Sequence, residues 1–553
     1  MGLARFTAVI LLAAATSVDA AIIKSDATTT TTTSTTTQPD WFQDPSGSYQ
    51  GFTSTGTAPS LAETNPVTFK HQSFAPNAPL QTQEPIEGAH GRNIFEVVGD
   101  LSPYFSPKDG FGVDEYPLPS GSRITHMHML HRHGSRYPSS SESVPTWAEG
   151  ILNSTAAGNK FKGELAFLND WKNGLGEELL TAKGREELFE SGVLNWFNYG
   201  HLYNSSSKLV VRTTTQNRML ESAKNFLAGF FGLDWTEKAN LLAMVESTGY
   251  NNSLIGMYTC TNALRYLSSA DFGKPIATWR DTYLKKRTAA FNKISGSYTW
   301  TTSSVYTAQS LCVYETISLG YSNFCQLFTY EEFVHFGYLL DIEFAAMTGF
   351  QSPTGRAQGI AWVEEFLARV EGHLLETTET NANMTLDTNP VTFPVNQNLY
   401  LDFTHDAGLI AAITALGLTQ FSDFLPTTGP PRNQQFSSSK LVPFAARLNI
   451  EIIKAPHQVK AKRPASTTGS QASNAYVPGT KETTYIHFIQ NQRTIPLHRS
   501  FKECPERDDG WCELSTFLKI QKQSLAKSRF QYACFGEYNS TAYGDVTDGA
   551  PIS

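Results

Sequence analysis

Three apolar runs rich in β-forming residues each end in polar residues, after which the pattern changes to a helical period. The runs occupy residues 124–130, 209–211 and 399–404. After the second run apolar residues recur at positions 220, 223, 226, 227 and 230, and after the third at positions 409, 410, 413 and 416, where Gly417 provides a helix stop. This alternation predicts an α/β fold with a mostly parallel central sheet flanked by helices.

The predicted sheet uses segments near 124–131, 208–213, 399–404, 447–453 and 484–497. In the last segment, β-forming residues on both sides of Asn491-Gln492 predict a hairpin at the edge of the sheet. Thr214 or Thr215 is expected to cap the helix after the second strand, which puts Arg218 near its first turn. Helices from about 141–204 and 236–395 are expected to form an inserted subdomain that covers the site and shapes its specificity.

The polar residues beyond the three strands are arginines, histidines and one acid. In open α/β sheets, ligands bind beyond the carboxyl ends of the strands, where helix N-termini favour anions. Arginine side chains bind phosphate oxygens there, and a neutral imidazole beside them can attack phosphorus. The pattern therefore predicts a phosphate-transfer enzyme, with Arg212 as a rival of Arg218. The six candidates are Arg132, His133, Arg136, Arg218, His405 and Asp406.

Charge and the N-terminal segment limit the possible partners. Lys and Arg total 43 against 51 for Asp and Glu, a net charge of -8 that disfavours nucleic acid and anionic membranes. Residues 1–20 combine Arg5, an apolar run at 8–15 and small residues before position 21, as a secretory signal peptide does. No stretch reaches the roughly twenty apolar residues of a membrane span. We expect an extracellular protein, free or attached to the cell wall.

The segments outside the predicted catalytic domain, residues 90–535, have a different composition. Residues 28–37 are almost unbroken threonine, so residues 21–89 are interpreted as an O-glycosylated stalk and an arm, with a merely disordered tail as the alternative. Residues 536–553 are assigned to a C-terminal tail. Five sequons add to the prediction of a secreted glycoprotein. Their asparagines are Asn153, Asn204, Asn251, Asn383 and Asn539.

An even number of cysteines in an exported chain predicts disulfides. Six cysteines allow fifteen pairings, and the spacing alone does not choose among them. The alternative, a metal cluster, lacks a CxxC pair. A second metal hypothesis uses His126 and His128, which would share one strand face, but no nearby carboxylate or further histidine pair completes that site. The cysteines are Cys260, Cys312, Cys325, Cys504, Cys512 and Cys534.

Two motifs carry a family resemblance. Residues 132–138 read RHGSRYP, which resembles the RHGxRxP signature of the histidine acid phosphatases, and His405-Asp406 resembles their distal HD pair. The similarity to fungal phytases extends to residues 161–168, 212–231, 400–418 and 442–448, and covers most of the chain from about 90 to 535. The resemblance implies a histidine phosphatase fold, similar to that of phosphoglycerate mutase.

The resemblance also implies the roles of the six residues. His133 would be the nucleophile that forms a phosphohistidine, and Asp406 would protonate the leaving alcohol. The phosphoryl oxygens would be bound by Arg132, Arg136, Arg218 and His405. No metal or other cofactor is expected, and the substrate would be a small phosphomonoester.

Two further expectations follow from the resemblance. The cysteines match the fungal phytase pattern, while two further disulfides of those phytases have no counterpart here. Fungal phytases also carry a lysine-rich stretch after the RHG motif, whereas residues 141–145 read SESVP and contribute the acid Glu142. We therefore expect a broad phosphomonoesterase and a poorer phytase, unless Lys285 and Lys286 of the helical cover compensate. The implied pairs are Cys260–Cys534, Cys312–Cys325 and Cys504–Cys512.

Three other functions are compatible with parts of the sequence. One is a true phytase that acts on inositol hexakisphosphate. Another is a secreted, non-catalytic glycoprotein that retains the fold as a binding module, against which the intact set of six residues argues. The third is an intracellular phosphoglycerate mutase with a related RHG motif, which the signal peptide and the sequons disfavour.

Overall fold

The predicted strands pair in one eight-stranded sheet. The computed structural model describes residues 86–140, 142–463, 475–539 and 542–552, all of which belong to one unit, Ser73–Ser553. The predicted signal peptide and nearly all of the predicted stalk and arm lie outside the described residues. The strands are β1 Arg123–Arg132, β2 Leu209–Thr214, β3 Ala239–Met244, β4 Leu399–Thr404, β5 Arg447–Ala455, β6 Thr483–Gln490, β7 Arg493–Ile495 and β8 Cys512–Glu513.

The sheet order is β3-β2-β4-β1-β5-β6-β7, and β8 pairs with β6. The first four strands in this order are parallel, and the strands from β5 onward pair antiparallel. The predicted hairpin is confirmed: Asn491 and Gln492 join β6 to β7 with φ of 49° and 67°. Two consecutive left-handed residues match the right-handed twist of the flanking strands.

Strand β3 corrects the prediction that residues 236–395 are helical. It lies at the edge of the sheet and pairs only with β2 among the described strands. Its sequence, ANLLAM, lacks a period of two and contains good helix formers. Pairing with β2 overrides this weak local preference.

Fifteen helices surround the sheet in the part of the chain that the structure describes. Helices α1, α2 and α4–α10 lie within the ranges predicted to be helical, and α2 packs on α3. They are α1 Val144–Ala156, α2 Ala182–Tyr199, α3 Asn217–Phe231, α4 Thr261–Leu267, α5 Ala270–Tyr283, α6 Lys285–Asn292, α7 Thr302–Leu319, α8 Tyr330–Met347, α9 Gly355–Glu371, α10 Met384–Asp387, α11 Asp406–Leu416, α12 Ser438–Leu441, α13 Leu514–Gln521, α14 Ser524–Ser528 and α15 Phe530–Phe535.

The start of α3 differs in one detail from the prediction. The residue before the helix is Gln216, whose side chain makes no capping hydrogen bond. The Thr215 hydroxyl instead accepts a hydrogen bond from the main-chain N–H of Glu246, beyond the end of β3. Tertiary pairing has taken the side chain that would otherwise cap the helix, and Arg218 still lies in the first turn.

Residues of β1 alternate between two cores. Met127 and Met129 pack with Phe226 of α3, whereas Leu130 belongs to the core that contains Ile413 of α11. The sheet is therefore covered on both faces, as the buried β4 requires.

All three implied disulfides are present in the structure. Cys260 immediately precedes α4 and bonds to Cys534 of α15, across a sequence separation of 274 residues. The other two bonds, Cys312–Cys325 and Cys504–Cys512, close short loops.

Two further observations concern membrane-spanning helices and the exposure of the sequon asparagines. Among the described residues, no helix is both long and apolar enough to cross a membrane. Asn153, Asn204, Asn251 and Asn539 are exposed, while Asn383 is half-buried and its side-chain amide donates to the Asn251 carbonyl at 3.3 Å. Glycosylation of these sequons stays a prediction.

Candidate active site

The six candidate residues meet at one edge of the sheet. Strands β2, β4 and β1 are adjacent and parallel, so their carboxyl ends lie together. His133 follows β1, Arg218 lies in the first turn of α3, and Asp406 is the first residue of α11. The polar residues that follow these three strands therefore lie together, as the sequence predicts.

His133 is held as a neutral imidazole. Its Nδ1 donates to the Gly134 carbonyl at 2.9 Å, which leaves Nε2 without a proton. Burial, together with the positive charges of Arg132 and Arg218, lowers the pKa of His133 well below its usual value. Nε2 lies 3.9 Å from Oδ2 of Asp406. An unprotonated, buried nitrogen that faces the site is a competent nucleophile.

The loop after His133 is fixed by Glu187 of α2. Its carboxylate accepts hydrogen bonds from the main-chain N–H and hydroxyl of Ser135, at 2.7 and 3.0 Å, and from the N–H of Tyr104 at 3.0 Å. Two glycines allow α2 to approach. A Cβ on Gly134 would lie 2.3 Å from the Gly184 carbonyl, and one on Gly184 would lie 2.0 Å from the Ser135 carbonyl.

Each of the four residues expected to bind phosphate lies beside a carboxylate. A phosphate must therefore share or displace these partners, and it does so most readily where an arginine has further donors available. Glu142 is additionally held by the Tyr314 hydroxyl, which donates to it at 2.6 Å. The pairs are Arg132–Asp406 at 2.5 Å, Arg136–Glu142 at 3.1 Å, Arg218–Glu178 at 2.5 Å and His405–Glu246 at 2.9 Å.

Arg212, the rival of Arg218, lies in the interior. Its guanidinium binds both carboxylate oxygens of Asp402 at 2.8 Å and Glu365 at 2.7 Å, and the side chain is only 2% exposed. These contacts join β2 to β4 and α9. The structure thus places Arg218, rather than Arg212, at the site.

Two histidines of β1, His128 and His131, pack inside the molecule. His128 stacks on Tyr400 with ring centroids 4.6 Å apart, and His131 Nε2 lies 2.8 Å from the Ser191 hydroxyl. Burial lowers the pKa of His131 to about 3. Both side chains contribute to packing on the two faces of the sheet.

A cavity of about 370 Å³ opens beside Arg136 and Asp406. Helices α7 and α8 contribute aromatic walls, Tyr306, Tyr314 and Phe344. The described lining contains no lysine, and Lys285 and Lys286 do not contribute to it. The acids that line it, besides Asp406, are Asp100, Glu142 and Glu343.

Two of these acids are neutral over much of the acidic range. Burial raises the pKa of Asp100 to about 7 and that of Glu343 to about 8. Asp406 behaves oppositely: although burial would raise its pKa, the charges of Arg132 and His405 lower it to about 2. In the ligand-free site Asp406 is therefore ionised, and it needs a change in its surroundings before it can donate a proton.

Sequence reasoning missed most of the acidic partners. Asp100, Glu178, Glu246 and Glu343 come from separate parts of the chain and belong to no recognised motif. Glu142 alone was visible, as the acid that follows the RHG motif.

A family comparison decides the class of protein. The model of the histidine phosphatase superfamily (branch 2) matches residues 123–491, a range that contains all six candidates. The chain belongs to this superfamily. The resemblance read from the two motifs is thereby confirmed.

Similar proteins that align with most of this chain are phytases. Phytase A of Arthroderma benhamiae is 30% identical over 431 residues, covering 76% of this chain and 88% of that protein. Phytase A of Aspergillus awamori is 29% identical over 443 residues, covering 76% and 86%. The crystal structure of the phytase from D. castellii shares the fold, with a TM-score of 0.61 at 20% identity over 81% of this chain and 89% of that one. This histidine phosphatase is a phosphoric monoester hydrolase of the phytase-like type.

Proposed function

We propose that the enzyme hydrolyses small phosphomonoesters through a phosphohistidine on His133. The observation that carries this proposal is the neutral imidazole whose Nδ1 is bonded to Gly134 and whose Nε2 faces Asp406. Nε2 attacks phosphorus, the ester P–O bond breaks, and the leaving oxygen takes a proton from Asp406. Water then breaks the P–N bond, gives its proton to the Asp406 carboxylate and leaves inorganic phosphate as the second product.

The cations bind the phosphoryl oxygens and prepare Asp406. Arg132, Arg136, Arg218 and His405 stabilise the charge on these oxygens. When a phosphate dianion takes Arg132 from Asp406, a neighbouring negative charge replaces a positive one, and the pKa of Asp406 rises. Substrate binding thus converts Asp406 from an ionised carboxylate into a proton donor.

The first test is hydrolysis of p-nitrophenyl phosphate by the purified full chain. His133→Ala is expected to abolish turnover, while His126→Ala, which changes a half-buried histidine earlier on β1, keeps it. Rapid quenching with labelled substrate should trap an acid-labile, base-stable adduct in the wild type. Full activity in His133→Ala, or no adduct in an active wild type, would refute the mechanism.

The charge of the site favours simple monoesters over inositol hexakisphosphate. Each proposed phosphate-binding residue already lies beside a carboxylate, and the described cavity walls contain no lysine for additional phosphates. Arg136, the only cationic side chain on these described walls, is paired with Glu142, so a polyanion would find no free positive charge there. The rival proposal is a true phytase, which the names of the relatives favour. A higher kcat/KM for inositol hexakisphosphate than for simple monoesters at its best acidic pH would decide for the rival.

We further propose that the enzyme is secreted. Three disulfides suit an oxidising compartment, and the predicted signal peptide and sequons agree with export. Mass spectrometry of protein recovered from the medium and from cell walls should show a chain cleaved near residue 20 that carries glycans.

A further inference from the structure

Asp100 and Asp406 share one arginine. Asp100 lies in the short turn Gly99–Leu101 and is 5% exposed. Its main-chain carbonyl accepts from Nη1 of Arg132 at 2.5 Å, and its Oδ2 lies 3.3 Å from Nη2. The same Nη2 lies 2.5 Å from Oδ2 of Asp406. One guanidinium nitrogen thus connects an acid outside the motifs to the expected proton donor.

The carboxyl of Asp100 is built to be neutral. Its Oδ1 is buried and has no hydrogen-bond partner among the described residues. An ionised carboxylate with such an orphaned oxygen costs several kcal/mol, as an order of magnitude, whereas a neutral acid costs much less. Because two carboxylates beside one cation repel each other, one of them keeps its proton until the pH is high enough to ionise both. That proton resides on Asp100, because burial raises its pKa to about 7 while Asp406 stays near 2.

The surroundings of Asp100 reinforce this assignment. Two cations face it, Arg132 from β1 and Arg136 from the following loop, and two acids, Glu142 of the loop and Asp406 of α11, oppose its ionisation. Helix α12, which packs on the turn, contributes the Ser439 hydroxyl, a hydrogen-bond acceptor for the N–H of Gly99 at 2.7 Å. Glu343 of α8 also faces Asp100, but its own pKa is raised to about 8, so it ionises only after Asp100.

We propose that Asp100 is a positioning residue, which as a neutral acid fixes the guanidinium of Arg132 without cancelling its charge, so that Arg132 can pass from Asp406 to the substrate phosphate. The inference rests on the proposed roles of His133 and Asp406. Once Asp100 ionises, Arg132 lies between two carboxylates, and a second negative charge opposes the incoming dianion. Asp100 thereby sets the upper pH limit of catalysis, chiefly through KM.

The test variant is Asp100→Asn in the full-length protein, because an amide has the shape of the neutral acid and does not ionise. With p-nitrophenyl phosphate, kcat/KM at pH 5 should stay within about threefold of wild type. The alkaline limb of kcat/KM against pH should move upward by about one unit or more. Inhibition by inorganic phosphate at pH 7.5 should become stronger.

Glu343→Gln is the matched control. Glu343 lines the same cavity and also has a raised pKa, but no contact joins it to Arg132 in the described residues. The alkaline limb of kcat/KM against pH for Glu343→Gln should coincide with that of the wild type. If Asp100→Asn does not fold, Asp100→Ser, a smaller neutral residue, should show the same upward shift.

The failures of the two proposals are distinguishable. A wild type that hydrolyses no monoester would overturn the proposed function. An active wild type whose alkaline limb is unmoved in the neutral Asp100 variants, or moves only in Glu343→Gln, would overturn the role of Asp100 alone.

Discussion

At the scale of single residues, the surroundings of each side chain determine whether it is charged, and thereby its reactivity. His133 is neutral because it is buried among arginines, and Asp406 is ionised because Arg132 contacts it. The proposed nucleophile is therefore ready before the substrate arrives, whereas the proposed proton donor becomes ready only when the phosphate has bound.

Asp406→Asn should separate good from poor leaving groups. An alkyl phosphate needs its leaving oxygen protonated, so its kcat should fall by roughly 10²- to 10⁴-fold. p-Nitrophenyl phosphate releases a stabilised phenolate and should lose far less. Comparing both esters in one preparation supplies the control, and equal losses would show that Asp406 acts in another way.

Glu142→Gln should improve the handling of polyanions. The change removes the charge that opposes Arg136 while keeping a hydrogen-bond partner for Tyr314. A charge contact of about 1 kcal/mol corresponds to a severalfold gain in kcat/KM for inositol hexakisphosphate. Glu149→Gln makes the same charge change on the exposed side of α1 and should have no effect. Equal or lower kcat/KM in Glu142→Gln would contradict the electrostatic argument.

The sequence predicted which candidate residues would lie together, but not their carboxylate partners. Arg132, His133 and Asp406 follow strands whose apolar runs are visible, and they lie in short motifs. Asp100 and Glu246 come from unrelated segments and approach the site only through the folded sheet and its cover. Charge pairing of this kind depends on distances that no local pattern encodes.

At the scale of elements, the three disulfides differ in the chain that they close. Cys260–Cys534 joins the start of α4 to α15 and closes 274 residues, whereas Cys504–Cys512 closes 8. In the chain-entropy model these loops correspond to about 5.6 and about 2.5 kcal/mol of stability. The long closure should dominate the effect of reduction.

Replacing each pair by serines tests this difference. Urea unfolding of Cys260→Ser/Cys534→Ser should show a loss about 3 kcal/mol larger than that of Cys504→Ser/Cys512→Ser. Six free thiols in the secreted, unreduced protein, or equal losses in both variants, would contradict the expectation.

Elements with a strong period were predictable, and those defined by pairing were not. β4 has the predicted bounds, because its β-forming residues are preceded by the polar residues 396–398 and followed directly by His405-Asp406. β3 was assigned to a helical region because ANLLAM has no strand period and becomes a strand only beside β2. The Thr215 cap failed for a similar reason, since a tertiary hydrogen bond competes with the local one.

At the scale of the whole molecule, buried acids make stability depend on pH. Burial is the first cause of each raised pKa, and for Asp387 the neighbouring Glu365 adds to it. A raised folded-state pKa stabilises below the unfolded value near 4, and this stability is lost as pH rises through the folded value. The pKa values rise to about 6 for Asp341, about 7 for Asp100, about 8 for Glu343 and about 9 for Asp387.

Other groups oppose this trend at acidic pH. Buried histidines with lowered pKa, such as His131 and His133, destabilise the fold as pH falls below about 6.5. Asp402 and Asp406, whose pKa values are lowered by arginines, lose their contribution below about pH 4. The two trends partly cancel between about pH 4.5 and 6.5, which predicts a plateau there.

Thermal unfolding across pH should show this plateau and a decline from pH 6.5 to 9. Asp387→Asn should reduce the alkaline decline by about 1–3 kcal/mol, because the amide cannot ionise. Glu237→Gln changes an exposed acid and provides the control. Stability that still rises at pH 9 would refute the contribution of the buried acids.

The strand order also determines how much of the chain must be synthesised before the sheet can form beside the candidate site. The proposed nucleophile, His133, directly follows β1, yet the parallel neighbour of this strand, β4, follows only after residues 133–398 have been made. At about 5–20 residues per second, β1 waits roughly 15–50 s for that neighbour. A chain released before residue 404 contains the whole RHG motif and lacks the strand that completes its site, so premature termination yields inactive protein with an unpaired apolar strand.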